Sequence, residues 1–246
     1  MNPHRTPIRE IRRKYKNELD RFAAVHEQRC EKDHDIRNEE TGGVVTLHAA
    51  PTSAVTTDAP SLLPHELTNA ELRLWPIRGD RGVRPTIKTE CVEYRFSTDR
   101  GREGGERLAL FGNGLFELVT TRAVQTKRSS QQTYPYIIGN AVAQNVIRLL
   151  VILDELDRSE DVLATATYTG FDGVEIRSEY DRVVIEDEEI QTDVVSFSPL
   201  DPDAKEYTDH VEPVSRLLQP LWYAGERAPW DMDLDEVLNV PEIGLE

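Results

Sequence analysis

A chain of 246 residues with 45 acidic against 29 basic side chains carries a net charge of −16, and its 38 % apolar content suffices for one large domain or two small ones. The excess charge sits at one end, since residues 1–38 are net +3, residues 39–158 net −1 and residues 159–246 net −18. At low salt that last third repels DNA, RNA and anionic membranes, which excludes it as a surface for reading phosphate backbones.

Arginine outnumbers lysine 23 to 6. Scarce lysine and dense carboxylate read as halophilic adaptation to a salt-rich cytoplasm, where charge keeps the surface hydrated and self-repulsion is screened. The acidity is then environmental rather than a sign of a partner. Cys30 and Cys91 are the only cysteines; they give no disulfide framework and fit a reducing compartment. No run approaches the roughly 20 apolar residues of a bilayer span. The basic start MNPHRTPIREIRRKYK lacks the apolar segment of a secretory signal. The expected location is cytoplasmic, with no membrane partner.

Thr6-Pro7 pairs an N-cap with proline at the first helical position, and Ile8, Ile11, Tyr15, Leu19, Phe22 and His26 follow at helical spacing. The pattern predicts a helix over 7–39, stopped by Gly42-Gly43. Val44–Ala49 reads as a short strand and Pro51–Asn69, rich in Thr, Ser, Ala and Pro, as an irregular loop. Glu71–Ile77 and Thr86–Phe96 read as strands around a turn at 78–82, and Arg107–Thr120 as strand, turn and strand. Ser129–Gln132 reads as a polar connector, and Asn140 as the cap of a helix running to Asp157. Val162–Tyr168, Gly173–Ile176, Arg182–Ile185 and Asp193–Phe197 read as short strands. The stripe Val211, Val214, Leu217, Leu218, Leu221, Trp222 predicts a last helix ended by Gly225, and an acidic, loosely ordered tail follows.

This order lacks regular β-α-β alternation. It predicts an α+β fold, mostly antiparallel, with a long N-terminal helix, a central helix and a C-terminal helix. The expected division is a helix over 1–42, an α+β domain over 43–227 with sub-layers 43–138 and 139–227, and the tail 228–246.

The glycine cluster Gly112-Asn113-Gly114 poses the first functional question. A dinucleotide fingerprint needs Gly-x-Gly-x-x-Gly opening a helix, but here Glu117 holds the third position and β-prone residues follow. The Gly-Lys-Ser/Thr of a P-loop is also missing. Asn-Gly between apolar runs is a hairpin signal, so the cluster reads as a turn.

His26-x3-Cys30-x3-His34 is a metal-type pattern, since residues four apart share a helix face and can grip zinc. All three on one ion is strained, because His26 and His34 stand about 12 Å apart along a helix. A solvated helix face is the competing reading. His48, within an apolar run, reads as a half-buried strand histidine rather than a base. The carboxylate pairs Asp154/Asp157 and Glu186–Glu189 arise by chance in so acidic a chain, and no serine shows a nucleophile elbow. No catalytic or cofactor-binding residue is expected. Arg12, Arg13, Lys14 and Lys16, interleaved with Tyr15, form a candidate nucleic-acid strip, and Arg78, Arg81, Arg84 and Lys88 a second one. Such contacts are electrostatic and weaken with salt, and a basic solvated face competes with them.

Several segments in order resemble the C-terminal region of Schlafen/AlbA-type DNA-binding proteins, often labelled ATP-binding. These are the first helix leading into GGVVTLHAAPTSAV (Gly42–Val55) with its Leu-His-x-x-Pro element, LALFGNGLFELV (Leu108–Val119), IIGNAVAQNVIRLLVILDELD (Ile137–Asp157) and VEPVSRLLQPLWYAGE (Val211–Glu226). In that family the AlbA-like domain, credited with nucleic-acid or nucleotide contact, precedes this region. The resemblance therefore carries no binding or catalytic role onto these residues. It implies a companion half, from a truncated gene, a split gene or a separate module. The expected function is a non-enzymatic accessory or regulatory module associated with an AlbA-type nucleic-acid-binding domain. The alternatives are a metal sensor or enzyme using His26, Cys30 and His34, or weak nucleic-acid binding through the first helix.

Overall fold

Strand β1 (Val44–Pro51) is buried at every position, so both faces of the sheet around it are covered. In the computed structural model the residues described are 17–30, 43–56, 86–96, 105–121, 123–127, 130–177, 182–200 and 208–225. A helix α1 (Glu18–Cys30) precedes β1 and a short helix α2 (Thr52–Thr56) follows it. Then come β2 (Thr86–Ile87), β3 (Cys91–Phe96), β4 (Glu106–Phe111), β5 (Phe116–Thr120), β6 (Gln125–Lys127) and β7 (Ser130–Thr133). Helix α3 (Pro135–Glu155) leads into β8 (Val162–Thr169), β9 (Glu175–Arg177), β10 (Arg182–Val184), β11 (Glu189–Gln191) and β12 (Val195–Phe197). A 3-10 turn (Thr208–His210) opens the last helix, α4 (Val211–Ala224). The fold is α+β and mostly antiparallel, as the element order predicts.

The main sheet runs β11-β8-β1-β5-β4-β3-β2, and β12 shares the outer edge of β8 with β11. All of its pairings are antiparallel. A smaller sheet, β10-β9-β7-β6, contains one parallel pair, β7 with β9. Side chains alternate across a strand, so register sorts the main sheet into two faces. Val45, Leu47, Ala49, Leu108, Leu110, Phe116, Leu118, Ala164, Ala166 and Tyr168 share one face, in one apolar core with α3 and α4. Tyr168 Oη anchors α4 by donating to the Leu217 carbonyl at 2.8 Å. The opposite face carries Ala50, Cys91, Ala109, Phe111, Leu115 and Leu163, which pack with Phe22 and Val25 of α1 and Ala54 and Val55 of α2. Val44, Val119 and a row of polar residues occupy the rest of that face.

Several boundaries differ from expectation, each for a local reason. Within 7–39 the described helix is Glu18–Cys30; Thr6-Pro7 and Gly42 lie outside the described residues. Thr52–Thr56 is helical rather than loop, because Glu160 caps it, accepting from Thr52 Oγ1 at 3.0 Å, Ser53 N at 2.7 Å and Ser53 Oγ at 2.6 Å. The segment Thr86–Phe96 is a hairpin rather than one strand, with Thr86 opposite Glu93 and Ile87 opposite Val92. The expected connector Ser129–Gln132 contributes strand β7, whose Gln132 and Thr133 are buried despite their polarity. Helix α3 starts at Pro135, at the permitted first turn, so Asn140 is interior and Tyr134 is the N-cap residue. Glu189–Gln191 adds a strand that the acidic run 186–189 concealed. The region of the expected strand Glu71–Ile77 lies outside the described residues.

The expectation that no run can span a bilayer is also corrected. Residues Ile137–Glu155 of α3 are long and apolar enough by length and composition, yet 82 % of that window is buried inside the fold.

Candidate functional site

Gly112-Asn113-Gly114 closes the β4–β5 hairpin. Gly114 N donates to the Phe111 carbonyl and Phe111 N to the Leu115 carbonyl, each at 2.8 Å, and Asn113 Oδ1 accepts from Leu115 N at 3.2 Å. Of the three, only Gly114 takes positive φ, at +89°. This is a three-residue loop, a turn followed by a left-handed glycine. Its consequence for the site lies in register: it sets Ala109 opposite Glu117 and Arg107 opposite Val119.

Strand β1 pairs with β5 so that His48 stands opposite Glu117. On its other side β8 places Thr165 opposite His48 and Thr167 opposite Thr46. The same face of the sheet thus carries Glu93, Arg107, Glu117, His48 and Thr167 in succession across five strands. Helix α1 closes over them. Phe22, Val25, His26 and Arg29 recur at helical spacing, and the first two dock on the apolar part of the face. His26 and Arg29 then reach the polar part.

The contacts form one chain. His48 Nε2 lies 3.0 Å from Glu117 Oε2, His26 Nδ1 lies 2.7 Å from His48 Nδ1, and His26 Nε2 lies 2.6 Å from Thr167 Oγ1. Arg29 Nε donates to Glu117 Oε2 at 2.5 Å and Arg107 Nη1 donates to Glu117 Oε1. Arg107 Nε also donates to Glu93 Oε2 at 2.9 Å, while Lys88 Nζ and Arg95 Nε donate to Glu93 Oε1 at 2.8 and 2.6 Å. The Arg29 guanidinium lies 4.3 Å from the centroid of the Phe111 ring. His48 and Glu117 are 0 % exposed and His26 is 1 % exposed.

The network assigns its own protons. Burial works to raise the Glu117 carboxyl, but the hydrogen bond from His48 and the charge of Arg29 outweigh it and hold the group well below the usual carboxylate range. An ionised Glu117 accepts the His48 Nε2 proton. One proton lies between the two Nδ1 atoms, and the Thr167 hydroxyl, which can donate or accept, completes His26 Nε2. Burial, helped by repulsion from His48 and opposed by the Glu117 charge, lowers the His26 pKa to about 2. Neutral His26 is therefore the ground state, and every polar atom along the chain is satisfied. The two carboxylates Glu93 and Glu117 are balanced by Arg107, which they share, and by Arg29.

Cys30 sits one turn after His26, half-buried, with Sγ 3.5 Å from His26 Nε2. Of the expected metal set, the structure brings His26 and Cys30 together, and the third neighbour is His48; His34 lies outside the described residues. The expectation that His48 is half-buried is corrected, because sheet and helix enclose it completely. Arg12, Arg13, Lys14 and Lys16 lie outside the described residues, as do Arg78, Arg81 and Arg84. Lys88 is tied to Glu93. Asp154 accepts from Ser159 Oγ at 2.6 Å on an exposed helix end.

Glu117, Arg107 and Thr167 escaped the sequence reading as site residues. The available signal was a charge inside an apolar strand run, as in Arg107-Leu-Ala-Leu-Phe and Phe116-Glu-Leu-Val-Thr. No protein-family model, curated protein or solved structure matches the chain.

Proposed function

We propose that this protein is a non-enzymatic regulatory module whose working part is helix α1, docked on the sheet through the buried histidine–carboxylate network. Its partner is a protein carrying an AlbA-like nucleic-acid-binding domain, and contact with nucleic acid belongs to that partner. The partner class follows from the sequence resemblance. The observation that carries the regulatory reading is the dock itself: His26 and Arg29 of α1 complete a network in which their direct partners, His48, Glu117 and Thr167, lie on the sheet. A buried polar network is cohesive when complete and costly when partly satisfied, so such a helix is either seated or released. The groups best suited to acid–base chemistry are enclosed, His48 and Glu117 at 0 % exposure, which favours sensing over turnover.

The test is affinity capture with the full chain from native lysate at high salt. Recovery of a protein with an AlbA-like domain, in stoichiometric amount, is the expected result. Recovery of this chain alone overturns the partner reading.

A further inference from the structure

We infer that His26, Cys30 and His48 form a binding site for a borderline-soft divalent transition metal, with Zn2+ the best match. The inference stands independently of the partner. One ligand atom from each residue can be chosen so that all lie within 4.8 Å of one another. Imidazole nitrogen and thiolate sulfur are both donors that zinc takes.

The far sides of the two rings carry the argument. The Nδ1 atoms of His26 and His48 converge to 2.7 Å, while the remaining nitrogens are held by Thr167 and Glu117. A metal-bound histidine almost always has its other N–H tied to a carboxylate or another oxygen, which fixes the ring and raises its basicity. Here both rings have that support, and one of the supports is a buried carboxylate. At 2.7 Å the Nδ1 atoms hold one proton between them, and a cation takes its place once the pair opens.

Loading the ion needs a local rearrangement of these side chains. Nitrogens on a tetrahedral zinc stand about 3.3 Å apart, so the Nδ1 pair opens by about 0.6 Å. Cys30 Sγ turns from His26 Nε2 toward the Nδ1 side by rotation about its Cα–Cβ bond. In the loaded site the His26 proton rests on Nε2 and the Thr167 hydroxyl accepts it, which a hydroxyl can do. The Cys30 thiol releases its proton, so each ion bound liberates one proton and forms two metal–nitrogen bonds and one metal–sulfur bond. Among the described residues no fourth ligand joins these three, so that position is open to water or to another ligand. Two of the three ligands belong to α1 and one to β1, so the ion fastens the helix to the sheet.

The test uses the full chain without a histidine tag, stripped by chelator and titrated with Co2+ and then Zn2+. One Co2+ per chain is expected, with tetrahedral visible absorption, a thiolate charge-transfer band, and displacement of both by Zn2+. Cys30→Ser removes the charge-transfer band, whereas Cys91→Ala, at the other cysteine, retains it. Thr167→Val leaves all three ligands in place and weakens Zn2+ binding about 10- to 100-fold through loss of ring support. His48→Ala tests the third ligand directly, and Thr167→Val keeps the proposal testable if that variant fails to fold. A wild-type chain that shows no thiolate band with Co2+, or a band that survives Cys30→Ser, overturns the proposal.

Discussion

His48 on β1 and Glu117 on β5 stand directly opposite each other in the strand register, and their side chains close a 3.0 Å hydrogen bond across 69 residues of sequence. Both are fully buried, so their pairing is enforced by the sheet and closed off from water by α1. Glu117 accepts from His48, Arg29 and Arg107, and therefore links two strands and a helix at one carboxylate.

Replacing that carboxylate by an isosteric amide tests the linkage. Glu117→Gln removes the charge that Arg29 and Arg107 face, taking from Arg29 the carboxylate it pairs with, while Arg107 keeps Glu93. Breaking one partner out of a buried charge network costs about 3–5 kcal/mol. Urea unfolding should show a loss of that size. A loss below about 1 kcal/mol would mean that water reaches the site and the network is not buried in solution.

The contact between His26 and Thr167 joins residues 141 apart at 2.6 Å, and its energetic coupling is separable from simple burial. His26→Leu leaves two buried polar atoms, His48 Nδ1 and Thr167 Oγ1, without the partner they have now, at a cost of about 1–3 kcal/mol. Adding Thr167→Val to His26→Leu removes one of those orphaned atoms. The double variant should therefore be more stable than the sum of the singles by about 0.5–1 kcal/mol in a double-mutant cycle of unfolding free energies. Strict additivity would show that the two groups do not interact.

What the sequence revealed of this arrangement divides along the range of the signal. The β4–β5 hairpin was legible because Asn113-Gly114 is local turn chemistry, and α4 because Val214, Leu217, Leu218, Leu221 and Trp222 recur at helical spacing and are buried as that spacing implies. Strand β7 was not legible, because Ser130-Gln-Gln-Thr is polar in sequence and becomes strand through pairing with β6 and β9. The site was legible only on α1, where Cys30 follows His26 by one turn. His48 lies 22 residues from His26 and Thr167 lies 141 away, so their convergence depends on the β5-β1-β8 strand order, which no local pattern encodes.

Acid should destabilise the fold through the outer carboxylate. Burial works to raise the Glu93 pKa, but hydrogen bonds from Lys88 and Arg107 outweigh it and hold it below the ordinary value of 4.5. A group whose pKa is lower folded than unfolded stabilises the fold above its unfolded pKa, and that stability is lost as pH falls toward the folded value. The unfolding free energy should therefore decline as pH drops below about 4.5, and Glu93→Gln should flatten that decline. The measurement is urea unfolding across the acid range at fixed high salt. An acid limb unchanged in Glu93→Gln would assign the sensitivity to other carboxylates.

Two left-handed glycines separate backbone strain from crowding. Gly114 has φ +89°, and a Cβ there would lie 2.7 Å from Pro51 Cγ and 2.9 Å from Pro51 Cδ. Gly173 has φ +75°, and a Cβ there would meet nothing within 4 Å. An L-residue in this region costs about 1–2 kcal/mol from its own backbone, which is the whole expected effect of Gly173→Ala. Gly114→Ala adds overpacking against a proline ring, which cannot rotate away, worth about 1–3 kcal/mol more. That proline ends β1, three residues from His48, so the clash presses on the strand that carries the site. Gly114→Ala should thus be the more destabilising of the two by at least about 1 kcal/mol in urea unfolding, and equal losses would show that the hairpin tip moves freely away from Pro51.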